Sequence, residues 1–274
     1  MSSPTKFKNI IRELGSIARS YGISNSFVVG GYPRSVIMNS VKEDAHDLDI
    51  ASAWPGEATK LGSIAASELI NDFPEVYHRT GTVKFTYKDV DLEFQGSLGS
   101  MSDTQPVTTE MERYGIIVSP LTTNLYSRDF TINTLVQDLE TQNIYDIVGF
   151  AIKDLENGII RTPINPQVSL SINPLIILRA IRFSLRYDFE IERRLSSSIR
   201  KFKHLLFSEY SSERLQIEIL KMLQEDYDGT LKKLEDYELE ETLKNRNYDI
   251  YKILDTIDIT KYTGDLSELV QEKQ

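Results

Sequence analysis

The chain has 274 residues, 40% of them hydrophobic and 26% charged, with a formal net charge of −10 and no cysteine. That length suffices for the core of one or two domains. The missing cysteines exclude disulfides, thiolate metal sites and cysteine nucleophiles, and the acidic balance argues against tight, non-specific nucleic-acid binding, so any such partner must meet a local basic patch. No apolar run reaches the ~18 residues of a membrane span, and the opening MSSPTKFKN lacks a signal-peptide core, so no membrane partner and a cytoplasmic setting are expected.

Residues 4–21 repeat Ile10, Ile11, Leu14, Ile17, Ala18 and Tyr21 at helical spacing, with Gly22 placed to cap the end. A strand at 26–29, a short helix near 34–40 and a strand at 47–53 follow, then a helix over 57–71. TVKFTYK and VDLEF read as two strands joined by a turn at Lys88–Asp89, which makes them an antiparallel pair. The stretch 96–114, rich in Gly, Ser, Thr and Met, reads as a mobile loop. From about residue 170 the pattern becomes helical throughout, in PLIILRAIRFSLRY, RRLSSSIRKFKHLLF and SERLQIEILKMLQ, with no later strand of comparable quality and an acidic, helix-prone end. The class is therefore α+β, a mixed-sheet head followed by an all-helical part. The expected divisions are 1–165, 166–225 and a short helical segment 226–274.

Within the head, Asp47 and Asp49 stand two apart on a strand and so project from one face, and Asp91 and Glu93 repeat that geometry on a later strand. Co-facing carboxylates repel unless a cation lies between them. Magnesium suits such a site, taking oxygen ligands and leaving positions for phosphate; two ions about 3.5–4 Å apart can activate a hydroxyl and steady its leaving group. A solvated edge strand would also tolerate DLD, so the pair alone does not decide the matter. Upstream, FVV runs into Gly30–Gly31 and a helix bearing Arg34, a strand–glycine–helix order that offers backbone N–H groups to a phosphate; a tight turn and a structural ion pair would use the same residues.

Six ordered stretches carry a resemblance. GGYPRSVIMN with DLDIA resembles the GGxxRD…DxD signature of the tRNA nucleotidyltransferase and poly(A) polymerase family, bacterial type. GTVKFTYKDVDLEF is similar to its strand pair with a third acid, SRDFTINTL to its RRDFTxNA motif, and IYDIVGFAIKDLENGIIRTP to its DPFGGxxDLxxxxIR segment. NPLIILRAIRFSLRYDFEIE and SERLQIEIL resemble the motifs that open and close its helical neck, so that the likeness spans residues 25–222. It implies a nucleotidyltransferase (polymerase-beta-like) head that moves a nucleoside monophosphate from a nucleoside triphosphate to an RNA (tRNA-like) 3′ end, with release of pyrophosphate. It also implies that Asp47 and Asp49 hold Mg2+ (two ions), that Glu93 completes the acidic cluster, and that Gly30, Gly31 and Arg34 meet the triphosphate. Arg128, Asp129 and Asn133 would organise the ribose side, with Arg179 and Arg182 adding positive charge from the neck. A structural salt bridge at a helix start is the rival role for Arg128 and Asp129. For Arg179 and Arg182 the rival is a solvated or bridging role, and Glu213, Arg214 and Glu218 read as helix-stabilising.

The pattern is broken in places. Ser35 replaces the aspartate after the arginine, an arginine usual after the third acid's strand matches Leu98 or lies elsewhere, and the base-selecting EDxxR of the neck becomes Ile172, Asn173 and Ile176. Asn173 can still hydrogen-bond a base edge, but isoleucine offers neither carboxylate nor guanidinium; programmed CCA addition is therefore not the expectation. Transfer to a non-RNA acceptor, or a non-catalytic RNA-binding role, are the alternative functions. Only His46, His78 and His204 are available, too few for a histidine-rich phosphohydrolase centre. The most basic segment, 193–207, offers an RNA backbone Arg193, Arg194, Arg200, Lys201, Lys203 and His204, or is simply a solvated helix face.

Overall fold

A computed structural model describes residues 4–40, 47–95, 101–206, 212–239, 258–264 and 266–271. The chain divides into two compact units, Met1–Glu156 and Asn157–Gln274.

In the first unit, helix α1 (Pro4–Ser20) leads through Gly22, which has a positive φ of 64°, to strand β1 (Ser26–Val29). Helix α2 (Gly31–Ile37), strand β2 (Asp47–Ser52) and helix α3 (Glu57–Leu69) follow, then β3 (Glu75–Tyr77), β4 (Thr82–Tyr87) and β5 (Val90–Phe94). Next come α4 (Met101–Arg113), α5 (Pro120–Tyr126), a 3-10 turn at Thr131–Asn133, β6 (Val136–Asp138), β7 (Ile144–Tyr145) and α6 (Ala151–Asn157). The seven strands form one mixed sheet in the order β3-β4-β5-β2-β1-β6-β7. Only β2 and β5 pair in parallel; the other neighbours are antiparallel.

Strand alternation sorts the side chains to two faces. Val28, Leu48, Ile50, Val83, Leu92 and Phe94 enter one core with Phe7, Ile10, Ile11 and Leu14 of α1 and Leu61 and Ala65 of α3. Val29, Ala51 and Val136 enter a second with Leu121 and Leu125 of α5. Asp47 and Asp49 share the face of Ala51, beside α5 rather than under α1.

The stretch read as a mobile loop is corrected in part: residues 101–113 are helical, while 96–100, and with them Leu98, lie outside the described residues. Val107 and Met111, one helical turn apart, are fully buried, and this single apolar stripe holds a helix whose composition otherwise reads as a linker. The short strands β3, β6 and β7 have two or three residues each, too few for a period-2 pattern to declare itself.

The second unit holds a two-stranded parallel ladder, β8 (Ile159–Ile160) with β9 (Glu190–Ile191). Its helices are α7 (Pro166–Ile172), α8 (Ile176–Tyr187), α9 (Arg193–Phe202), α10 (Ser212–Glu225), α11 (Tyr227–Asp236) and α12 (Leu266–Gln271). The β8–β9 ladder ties the residues just after Glu156 to the helical part, which is why the unit begins before residue 165. Ile176, Ile177, Ala180, Ile181 and Ser184 bury one side of α8, and Leu215, Ile219, Leu220 and Leu223 one side of α10. Among the described residues, no single helix is long and apolar enough to cross a membrane.

Gly62 lets α3 approach β5: a Cβ there would lie 2.6 Å from Cγ of Phe94. Gly62→Val is therefore expected to lower stability by about 2 kcal/mol or more through overpacking, read as a drop in urea midpoint. Ser63→Ala, on the exposed side of the same helix, should stay within about 0.5 kcal/mol of the parent.

Candidate active site

The parallel register of β2 and β5 sets Asp47 opposite Asp91 and Asp49 opposite Glu93, so four carboxylates share one face of two adjacent strands. Asp91 is engaged by the Thr86 hydroxyl at 2.6 Å. Glu93 is met from the neighbouring strand by Lys84, with Nζ 2.6 Å from Oε2. The Lys84 ammonium is held above its ordinary pKa, chiefly by that hydrogen bond. This pairing follows from the turn. Lys88 and Asp89 both take positive φ, 50° and 52°, as a two-residue hairpin requires, and the register then runs Tyr87↔Val90, Thr86↔Asp91, Phe85↔Leu92 and Lys84↔Glu93. Counting back from Lys88–Asp89 identifies Lys84 as the partner of Glu93; the sequence reasoning passed over it.

Val29 pairs with Asp49, so the chain leaves β1 beside that carboxylate. Gly30 then adopts φ 84° and ψ −130° as the cap of α2. A Cβ on it would come within 2.7 Å of Arg128 Nη1 and 3.0 Å of Asp49 Oδ2. Glycine is needed there twice over, for its backbone conformation and because arginine and carboxylate close over it. Arg128 Nη2 stands 3.8 Å from Asp49 Oδ2, and its Nε donates to Asn124 Oδ1 at 3.2 Å. At Gly31 a Cβ would meet only Arg34 Nη2, at 3.7 Å.

A second chain of polar contacts lies behind the glycines. The buried Arg34 donates through Nη1 to Asn133 Oδ1, and Asn133 Nδ2 donates to Asp129 Oδ1 at 2.8 Å. The same oxygen accepts the Phe130 amide at 2.8 Å, the turn that opens the 3-10 segment. Arg34 thus joins Asn133, 99 positions further along the chain, and through it Asp129 in one network. Asn124 Nδ2 in turn donates to Gln95 Oε1. The sequence reading did not single out Gln95 or Asn124, since an amide pair with no recognisable spacing gives no signal before the fold is known.

Asp49 is pushed up to about 6, first by burial, which Arg128 opposes, then by Asp47 and Glu93, with Lys84 a smaller opposing charge. Like charges held together in a partly dry site are what a divalent cation relieves, and the donor set is wholly oxygen, which suits magnesium. Among the described residues no three such ligands cage an ion by themselves; magnesium needs no such cage where substrate phosphates supply the remaining oxygens.

The other predicted residues lie in the second unit. Asn173 ends α7, and its Oδ1 accepts the Leu175 amide at 3.2 Å. Ile176 is buried and Ile172 exposed. Arg182 Nε lies 2.5 Å from Glu218 Oε1, both side chains largely buried, so its charge is balanced within the helical unit and Glu218 bridges α8 and α10. Arg179 is half-buried on α8. In the basic segment, Arg193, Arg194, Lys201 and His204 are exposed, while Arg200 donates to the Asp236 carbonyl at 2.6 Å and Lys203 pairs with Glu238 at 2.5 Å. His46 lies outside the described residues.

A glycine-capped helix, a strand pair bearing co-facing carboxylates and an arginine closing over them define a nucleotidyltransferase head. A family model described as the poly(A) polymerase head domain matches residues 26–161, and a second, a probable RNA-binding and SrmB-binding site of polymerase A, matches 188–244. The chain belongs to the tRNA nucleotidyltransferase and poly(A) polymerase family. It is 32% identical over 187 residues to tRNA nucleotidyltransferase cca2 of Schizosaccharomyces pombe, covering 68% of this chain and 36% of that protein. With the CCA-adding enzyme of Enterococcus faecalis it is 31% identical over 226 residues, 80% of this chain and 50% of the relative. The chain thus spans half or less of the length of these relatives. The fold is that of the Thermotoga maritima CCA-adding enzyme complexed with tRNA, at a TM-score of 0.70 and 21% identity over 98% of this chain and 61% of that one. Bacillus stearothermophilus CCA-adding enzyme in complex with CTP superimposes with a TM-score of 0.61 at 23% identity, over 81% and 49% of the two chains.

The crowding of Asp49 has a direct consequence for stability. Its folded pKa of about 6 lies above the ordinary 3.8, so the native state holds the extra proton between those values. This group's contribution to stability therefore falls as pH rises through that interval. In chelator at pH 7, Asp49→Asn should be more stable than the parent by on the order of 1–3 kcal/mol, and the difference should close near pH 4. Urea unfolding at the two pH values measures it, and equal stability at pH 7 would show that the carboxylate is not crowded.

Proposed function

We propose that this chain transfers a nucleoside monophosphate from a nucleoside triphosphate to the 3′-hydroxyl of an RNA, with tRNA the first acceptor to test, and releases pyrophosphate. The observation that carries the proposal is the pairing of Asp49 with Glu93 and the closure of Arg128 and Gly30 over Asp49. The names of the relatives support the choice of tRNA, and the exposed Arg193, Arg194 and Lys201 offer a phosphate backbone positive charge in an otherwise acidic chain.

In this reaction the 3′-oxygen attacks the α-phosphorus, the bond from that phosphorus to the β-phosphate bridging oxygen breaks, and the hydroxyl proton leaves. Magnesium, two ions in this reading, supplies Lewis-acid activation of the hydroxyl and charge neutralisation of the pyrophosphate when bound by Asp47 and Asp49. Glu93, held by Lys84, completes the acidic face on which the hydroxyl is aligned. Gly30 and Gly31 bring backbone N–H groups close to the triphosphate, with no side chain to keep it away. Arg128 meets accumulating negative charge, while Arg34, Asn133 and Asp129 fix the floor that orients the ribose. Such transfers depend on positioning and charge stabilisation more than on covalent chemistry. Asn173 and Arg179 remain assigned to the nucleotide; Arg182, neutralised by Glu218, is assigned instead to the frame of the helical unit. Because Ile172, Asn173 and Ile176 do not supply a carboxylate–guanidinium base template, nucleotide addition without a fixed C, C, A programme is proposed, in the cytoplasm.

Purified chain with Mg2+, each labelled NTP and a tRNA lacking its 3′ end, or a generic oligonucleotide, should yield extended RNA. Asp47→Ala combined with Asp49→Ala should reduce extension by at least about a thousandfold with an unchanged circular dichroism spectrum. Extension that survives the double change sinks the metal assignment, and a strict C, C, A product on tRNA sinks the absence of a programme.

A further inference from the structure

We infer that Gln95 and Asn124 are positioning residues that hold the Arg128 guanidinium over Gly30 for the incoming nucleotide; this rests on the function proposed above. Gln95 follows β5 directly. Its amide donates to the Ile50 carbonyl at 2.7 Å, so the sheet pairing continues one step beyond Phe94. Alternation then places Gln95 on the face of Asp91 and Glu93. Asn124 sits on the buried side of α5, 7% exposed, and donates from Nδ2 to Gln95 Oε1. Its other end, Oδ1, accepts from Arg128 Nε at 3.2 Å.

The two bonds fix the orientation of the Asn124 amide. Flipping it would set two N–H groups against the arginine Nε–H and two carbonyl oxygens against each other. With Nε committed, the guanidinium plane is set and its outer nitrogens turn toward Gly30 and Asp49. Nη1 lies where a Gly30 Cβ would reach within 2.7 Å. Nη2 is 3.8 Å from Asp49 Oδ2, longer than a hydrogen bond. The arginine is thus pointed at the carboxylate face at ion-pair distance, with no hydrogen bond to Asp49. An arginine left to its own rotamers would sacrifice this on binding, since ordering a long side chain costs entropy. The same relay couples the arginine of α5's end to the end of the strand that carries Glu93.

The test combines binding and spectroscopy on the full chain. Gln95→Met, which keeps the length and removes the acceptor, should weaken ATP and CTP binding about tenfold in calorimetry with Mg2+, with the thermal midpoint within a few degrees of the parent. Arg128→Ala should weaken it at least as much, and the double variant should be no weaker than Arg128→Ala alone, because the glutamine acts only through the arginine. Independent, additive losses overturn the inference. So does a Gln95→Met chain that binds both nucleotides as the parent does. The 15N–1H signal of Arg128 Nε, assigned by its loss in Arg128→Ala, should be sharp in the parent and broadened by exchange in Gln95→Met and Asn124→Ala. An unchanged signal in both overturns the relay whether or not either variant is destabilised. A parent chain that binds no nucleoside triphosphate fails the proposed function, whereas parent binding with an unimpaired Gln95→Met variant fails this inference.

Discussion

The parallel pairing of β2 with β5 is the constraint on which the head depends. It lays Asp47, Asp49, Asp91 and Glu93 along one face of two strands, where neighbouring strands lie only about 4.8 Å apart. Such a ladder of negative charge is unfavourable by itself, and the elements around it supply the compensation. β4 brings Lys84, a hydroxyl from Thr86 binds Asp91, and the segment after α5 brings Arg128. The compensation is partial, since the Asp49 carboxyl still sits near 6. Like charges left short of compensation in this way are what a divalent cation relieves.

What prevents the ladder from relaxing is the other side of the same strands. Leu48 and Ile50 of β2 and Leu92 and Phe94 of β5 are fully buried against α1 and α3. A slip of one residue in either strand would expose that apolar set and bury the carboxylates. Burial of one large aliphatic or aromatic side chain is worth roughly 1.5–3 kcal/mol, so these four residues outweigh repulsion between carboxylates that remain partly exposed to water. The hydrophobic face thus sets the geometry of the charged one. Gly62 belongs to the same argument, because α3 can seat Phe94 only where the helix has no side chain.

Much of this was legible in the sequence for a physical reason. The pairs Asp47–Asp49 and Asp91–Glu93 share a face by strand geometry alone, and the two-residue turn at Lys88–Asp89 fixes the β4–β5 register. Periodicity gave α1, α3, α8 and α10 within a few residues. The strand order was not legible, because nothing local says that β5 pairs with β2 in parallel rather than with another strand. Nor was the link from Arg34 to Asn133, or from Arg128 through Asn124 to Gln95, which depends on tertiary approach of distant segments. The misread stretch 101–113 failed for the opposite reason. Its helix rests on two buried residues, Val107 and Met111, whose spacing is hidden by polar neighbours and by Pro106 within the helix.

Ser35 shows how a departure from the family pattern is absorbed. Fully buried, it donates from Oγ to the Gly31 carbonyl at 2.9 Å, a bond within its own helix. An acid at that position would need a partner for a buried charge; serine needs none beyond the turn it stands on. Arg34 beside it donates to Asn133 behind the glycine pair. The changes in the helical unit differ in kind. Ile176 has joined the apolar core, and Asn173 Oδ1 accepts the Leu175 amide across the break between α7 and α8. The first substitution leaves the glycine cap and the buried Arg34 of α2 in place. Of the second set, Ile176 is committed to packing, while Ile172 stays exposed. The two regions are held differently: the charged sheet face is locked by its hydrophobic reverse, whereas the matching positions of the helical unit rest on side chains that the core could claim, as Ile176 shows.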